Sequence, residues 1–185
     1  FHIINHATFK AALFMTAGII DHEAHTRNIR RLGGLRRLMP VTFVIATLAS
    51  LSMAGIPFLN GFLSKEMMLE AAFDTGTFVA VVATLGAVFS VAYSLRYISH
   101  VFLGPVRTDY PHRPHDPGFG LWVAPAFLVL LVVLIGLFPQ ATVGPFVEVV
   151  AGAVTGTAES VHLKIWHGLT PALWMSVIAV GGGLL

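Results

Sequence analysis

An apolar run begins at Val41 and reaches Phe73, and it is interrupted midway by Gly55-Ile56-Pro57-Phe58-Leu59-Asn60-Gly61, with Ser64-Lys65-Glu66 close behind. Read as one α-helix, the run would be about 50 Å long, against a hydrocarbon core of about 30 Å. Something must break it. Pro57 has no N–H for the carbonyl of Met53, and its ring crowds the preceding turn. Gly55, Asn60 and Gly61 tolerate backbone angles that a helix does not use. The sequence therefore predicts a discontinuous helix broken at 55–61. Unpaired backbone and an ionisable side chain at membrane depth are tolerated where they line a wet cavity or pack inside protein. Together they point to an ion path.

Composition agrees with a membrane setting. The 185 residues are 56% hydrophobic and only 11% charged, whereas a soluble domain carries about 25% charged residues. A net charge of +2 is too small to indicate a nucleic-acid partner. With no cysteine there is neither a disulfide framework nor a thiolate metal site. Both ends fall inside apolar patterns, so the chain reads as a piece of a longer polypeptide.

The expected fold is all-α, a polytopic transmembrane bundle with one discontinuous helix. Expected spans are 1–20, 41–73 with its break, 77–103 and 119–138. They are followed by a linker over 139–168, with an interfacial helix near Phe146 to Val154, and by a further span starting near Leu169. Residues 1–138 form one unit in this reading and 139–185 an outward-facing linker plus the start of another span. The loops 21–40 and 104–118 carry Arg27, Arg30, Arg31, Arg36, Arg37, Arg107 and Arg113. Arginine asymmetry places both on the cytoplasmic side. The basic face at 27–37 reads as a topology determinant along that surface, within reach of anionic lipid.

Three groups could carry chemistry within the spans. His2, His6 and Lys10 recur every four residues, so each step advances about 6 Å and drifts about 40° around the axis. They form one slanted polar stripe, with Asn5 and Thr8 beside it. A lysine at mid-membrane costs about 2.5–3.5 kcal/mol on the insertion scale. One reading is a proton wire of histidine and desolvated lysine. Another is a snorkelling lysine with packed histidines. A third, His2 and His6 as an i, i+4 metal or haem pair, lacks a suitable third ligand nearby. Lys65 lies one turn into the second half of the broken span. There the helix N-terminus and desolvation both disfavour a charged ammonium, so its protonation would respond to neighbouring charge. The alternative is an interfacial anchor beside Glu66 and Glu70. Arg96 and His100, four apart near the end of the third span, admit a relay role or snorkelling. His22-Glu23-Ala24-His25 misses the zinc-protease spacing by one residue.

These residues resemble a known family. Asn5-His6-Ala7-Thr8-Phe9-Lys10-Ala11-Ala12-Leu13-Phe14 is similar to the His/Lys helix of the antiporter-like subunits of respiratory complex I and of Mrp-type sodium/proton antiporters. Gly33-Gly34-Leu35 with Met39-Pro40 is similar to the family's connecting loop. Gly61-Phe62-Leu63-Ser64-Lys65-Glu66 is similar to its broken-helix lysine motif. Asp21-His22-Glu23 and Leu163-Lys164-Ile165-Trp166-His167-Gly168 look closest to the large A-type subunit of the Mrp branch. Phe58 departs from the pattern, standing where the family often has a second proline, which leaves the break to Pro57 and the glycines. The resemblance implies two inverted five-helix repeats, with this piece holding the later part of the second. It also implies a hydrated proton path through the lysines at 10 and 65, with His2 and His6 linked to Lys10. The family's Glu–Lys pair of the first repeat would lie upstream.

Three functions follow as expectations. The first is a proton-translocating subunit of a multisubunit Na+/H+ antiporter in the bacterial plasma membrane, with H+, Na+ and other membrane subunits as partners and no cofactor. The second is the corresponding subunit of a redox-driven pump, complex I or a membrane-bound hydrogenase. The third is a non-transporting scaffold. An enzyme is the least favoured reading, because no nucleophile–base pair or phosphate loop is present.

Overall fold

The computed structural model describes residues 1–108, 110–156, 162–165 and 168–185. Asp109 of the second basic loop, residues 157–161 of the linker, and Trp166 and His167 of the late motif lie outside the described residues. The described chain is a helix bundle. α1 spans His2–Ala24, α2 Pro40–Ala54, α3 Asn60–Thr75 and α4 Thr77–Tyr97, which runs on through a π-helical turn, Ile98–Phe102. α5 spans Phe119–Leu137, α6 Pro139–Thr142, α7 Gly144–Thr155 and α8 Pro171–Leu184. Three stretches, His2–Ala24, Thr77–Phe102 and Phe119–Leu137, are long and apolar enough to cross a bilayer. α2 and α3, with 15 and 16 residues, are each about 22–24 Å long and cannot span about 30 Å alone. They cross only as a pair.

The break between them is narrower than the sequence predicts. α2 closes on Gly55, which is left-handed at φ 81°, a conformation that costs glycine little. Phe58 is left-handed as well, at φ 71°, where a side chain costs roughly 1–2 kcal/mol. The residue at the family's second-proline position thus takes part in the turn. Asn60 and Gly61, expected among the breakers, are instead the first residues of α3. The reason is packing. A Cβ on Gly61 would lie 1.9 Å from the Ser52 carbonyl oxygen, and one on Gly136 of α5 would lie 2.3 Å from the Phe58 carbonyl oxygen. Gly61 brings the two half-helices together, and Gly136 lets α5 seat against the turn. Leu59 is then buried among Phe9, Ala12, Ile45, Ala49, Val129 and Val132.

At the arginine-bearing end the two basic loops interlock, which places them on one side of the bundle as their charge predicts. The Gly34 amide donates to the Leu103 carbonyl at 3.1 Å, and the Tyr110 hydroxyl bonds the Gly33 carbonyl. Glu23, 5% exposed, meets His22 Nδ1 at 3.0 Å and His115 Nε2 at 3.3 Å. Here the His22–His25 segment serves as a loop fastener. Exposed Arg27 pairs with Asp21 at 2.8 Å. Asp116 reaches across to the start of α2, accepting from Val41 N at 2.9 Å, Thr42 N at 3.0 Å and Thr42 Oγ1 at 2.8 Å. Met39 cannot cap that end with its side chain and Pro40 has no N–H, so the carboxylate from the later loop satisfies the exposed amides.

At the opposite end α8 packs along α4 and onto α3, joined through Leu69, Ala80, Ala172 and Met175. α7 falls where an interfacial helix is expected.

Two stability outcomes follow. Gly61→Ala should destabilise the assembled protein by about 1–3 kcal/mol, the range of overpacked substitutions, whereas Gly120→Ala, with open space around it, should not. Thermal unfolding of the two variants by intrinsic fluorescence checks this. Asp116→Ala should cost about 0.5–2 kcal/mol, as lost helix caps do, and should raise proteolytic cleavage within residues 104–118.

Candidate ion-relay site in the groove between α1 and α4

A broken helix leaves carbonyls without partners at its first end, and at membrane depth each must be satisfied from within the protein. Ile56 N donates to Leu51 O at 3.0 Å and Gly55 N to Ser52 O at 2.9 Å. Met53 O accepts from Ser90 Oγ of α4 at 3.2 Å. Ala54 O accepts from Lys65 Nζ at 2.8 Å. The lysine folds back over the gap to do this, along the face Gly55 leaves open, where a Cβ would come 2.8 Å from Lys65 Cδ. The position of Lys65 in the sequence suggests an ammonium facing only the positive end of α3. In the fold Nζ sits on the negative C-terminal end of α2, which favours a cation. The charge is held between two helix ends of opposite sign.

α1 supplies the second set of groups. His2, His6 and Lys10 follow one another down a single face, with the His2 and His6 ring centroids 5.6 Å apart and Phe9 edge-on to His6 at 5.4 Å. His2 Nδ1 lies 3.1 Å from Ser64 Oγ, which links this stripe to α3 one residue from Lys65. Lys10 Nζ sits 5.8 Å from the Tyr93 ring centroid, within cation–π distance.

α1 and α4 each pack on α2 and α3, so a groove forms between them. A cavity of about 420 Å³ occupies it, lined by His2, His6, Lys10, Lys65, Ser90 and Tyr93 among others. All four proposed relay residues therefore face one space. Beneath it a buried amide network ties the break to α1. Asn5 Nδ2 donates to Asn60 O at 3.0 Å, Asn60 Nδ2 to Thr8 Oγ1 at 2.9 Å, Ser52 Oγ to Asn60 Oδ1 at 2.8 Å and Gly61 N to Ser52 Oγ at 3.0 Å. Asn60 thus acts through its side chain as the hub of the network.

The remaining candidates lie elsewhere. Arg96 and His100 are exposed at the end of α4, with His100 Nδ1 3.1 Å from the Arg96 carbonyl, and neither lines the cavity. Glu66 is buried but is not part of the cavity lining. Sequence reasoning missed Ser52, Ser90 and Tyr93. The signal for the last two is the spacing Ala83, Gly86, Ala87, Ser90, Tyr93, a small-residue stripe at helical period with polar members at one end.

Comparison with known proteins fits this geometry. Residues 1–90 match the family described as NADH:quinone oxidoreductase/Mrp antiporter, transmembrane. Along its full length the chain is 48% identical to a probable K+/H+ antiporter A/B subunit of Rhizobium meliloti, covering 19% of that protein. Over 96% of its length it is 41% identical to the Na+/H+ antiporter A1 subunit of Staphylococcus saprophyticus, covering 24% of it. It superposes on a chain of the Mrp complex from a Dietzia species with a TM-score of 0.80 and 32% identity, over 97% of this chain and 20% of that one. The chain thus spans about a fifth to a quarter of the length of these relatives. With the broken lysine helix and the His/Lys helix facing one cavity inside the matched region, this multi-pass membrane chain resembles the antiporter-like subunits of the NADH:quinone oxidoreductase/Mrp antiporter family.

Proposed function

We propose that this stretch is the late part of the second antiporter repeat of the large A-type subunit in a multisubunit monovalent cation/proton antiporter of a bacterial plasma membrane. Lys10 and Lys65 pass protons inward, His2 and His6 feed the relay at Lys10, and other membrane subunits complete the cation path for Na+ or a related ion. The loops 21–40 and 104–118 face the cytoplasm. One observation carries this reading: two lysines and two histidines, on helices read as membrane spans, line a single cavity, one ammonium held on the carbonyl exposed by a helix break. Burying ionisable groups there is costly, and a cavity large enough for water is what makes their charge exchangeable. The cation named for each relative differs between potassium and sodium, so the assignment of Na+ is the finer part of the proposal.

Reconstitution of the whole complex with Lys65→Ala should lower dye-reported antiport by about 100-fold or more, the scale on which a proton-transfer group contributes. Wild-type antiport in that variant would remove Lys65 from the mechanism. Lys10→Leu separates relay from scaffold. The relay predicts an assembled complex without ion exchange, and a scaffold predicts exchange unchanged. The family also includes redox-driven machines, and flavin or iron–sulfur absorbance in the purified complex would assign the chain to those instead.

A further inference from the structure

The arginine-bearing end gathers five titratable groups into one cluster. Glu23, in the last turn of α1, is 5% exposed. Its carboxylate meets His22 Nδ1 at 3.0 Å and His115 Nε2 at 3.3 Å, and its backbone carbonyl accepts from His112 Nδ1 at 3.0 Å. The His25 ring stands edge-on to His112 with centroids 5.2 Å apart, and the His112 and His115 rings are 6.3 Å apart. The two loops here carry seven arginines, yet among the described residues none pairs with Glu23. Arg27 is engaged by Asp21, and Arg107 and Arg113 line a separate cavity with Leu38 and Tyr110. Arg30, Arg31, Arg36 and Arg37 are exposed, and the Asp116 carboxylate is turned to α2. An arginine would hold a buried carboxylate at every physiological pH, since it is not deprotonated in proteins. A histidine forms an ion pair with it only while a proton is present.

His115 fixes the number of protons. Its Nδ1 lies 2.9 Å from the backbone carbonyl oxygen of Asp116 and its Nε2 3.3 Å from Glu23 Oε2. Both partners are acceptors when the carboxylate is ionised, and a neutral imidazole has one N–H. A neutral His115 donating to the carbonyl would turn a bare nitrogen lone pair toward the carboxylate. The contact therefore closes with one proton more than a neutral histidine and a carboxylate hold between them, carried on the ring or on Glu23. The closed contact binds that proton and the open one does not, so closure is favoured at low pH and lost as pH rises. The consequence reaches α2 through the next residue. Asp116 accepts from Val41 N at 2.9 Å and Thr42 N at 3.0 Å, and the far end of the same helix meets Lys65.

We propose that Glu23, His22 and His115 form a proton-controlled latch between the end of α1 and the loop 104–118, and that its release uncaps the first turn of α2. The latch is closed by a bound proton at the acid end of the range in which histidine changes charge, about pH 5–8, and opens at the alkaline end. Its ligand is H+ from the compartment that the arginine-bearing end faces, and no covalent bond other than N–H or O–H changes. His22 steadies the second carboxylate oxygen, and His112 ties the loop to the same residue through the backbone. The latch makes the capping of α2 sensitive to pH on one side of the bundle. It holds whether or not Lys65 relays protons.

Hydrogen–deuterium exchange in the intact purified complex reads the latch directly, because Asp116 protects the amides of Val41 and Thr42. Variant and parent are compared at the same pH, so the intrinsic pH dependence of exchange cancels. In His115→Ala the peptide containing Val41 and Thr42 should exchange about tenfold faster than in the parent near pH 6, and within about twofold near pH 8.5, since one proton is worth at most about tenfold per pH unit. Glu23→Gln separates a proton latch from simple packing. Its amide donates to the neutral imidazole or accepts from the charged one, so the peptide should stay protected at both pH values and exceed the parent's protection at the higher. A peptide holding the buried α5 residues Val129, Val132 and Ile135 should match the parent throughout. Either variant suffices if the other does not assemble. A His115→Ala ratio equal at the two pH values, or a Glu23→Gln peptide as pH-dependent as the parent's, would overturn the latch. Antiport is not the readout, so a dispensable Lys65 would leave this result standing.

Discussion

At the end of α2 four carbonyl groups face the middle of a membrane protein with no next turn of helix to receive them. An unmade bond to any of them would be costly in a membrane interior. Two of the four are closed locally by Gly55 and Ile56. The others need donors from outside the turn, and they receive them from Ser90 of α4 and Lys65 of α3. The close approach of α3, α4 and α5 to the break answers this requirement. α3 must return close enough for its lysine to reach back, which Gly61 permits, and α5 must back the turn, which Gly136 permits.

The same bond joins structure to chemistry. An ammonium has three donors and a neutral amine retains two. Lys65 can therefore give up a proton while the Ala54 carbonyl keeps a partner. In the proposed relay the exchangeable charge and the helix end would share one atom pair, and neither role would force the other to be abandoned. Lys10 is arranged differently, over the face of Tyr93, with no backbone end to serve. The two lysines of the cavity thus differ in what holds them.

The arginine-bearing end has its own logic. The basic loops keep their arginines exposed and use the uncharged or acidic groups between them for fastening. Glu23, His115, Tyr110 and Asp116 tie the loops together and tie the later loop to α2. Because Asp116 sits on the first turn of α2 and Lys65 on its last carbonyl, both ends of that half-helix are capped from elsewhere in the chain. α2 is a rod held at each end by a charged group of opposite sign, in the sense that its dipole favours.

Several features were legible without coordinates. Low charge and long apolar runs force helices in a bilayer, since no other open structure satisfies the backbone there. Proline and glycine within one run force a break, and a four-residue period puts His2, His6 and Lys10 on one face. Arginine content puts the two loops at one end. Tertiary structure decided the rest, because each remaining feature depends on atoms far apart in the chain. Asn60 reads as a breaker by its conformational tolerance, yet partners supplied by α1 and α2 make it a helix residue and a hub. Phe58 reads as a departure from a pattern, yet packing of Leu59 and Gly136 holds it in the left-handed turn. The ammonium of Lys65 reads as facing α3 alone, and only the return of α3 onto α2 shows the carbonyl it meets. Local periodicity fixes which way a side chain leaves its helix. What it finds there is set by how the helices pack.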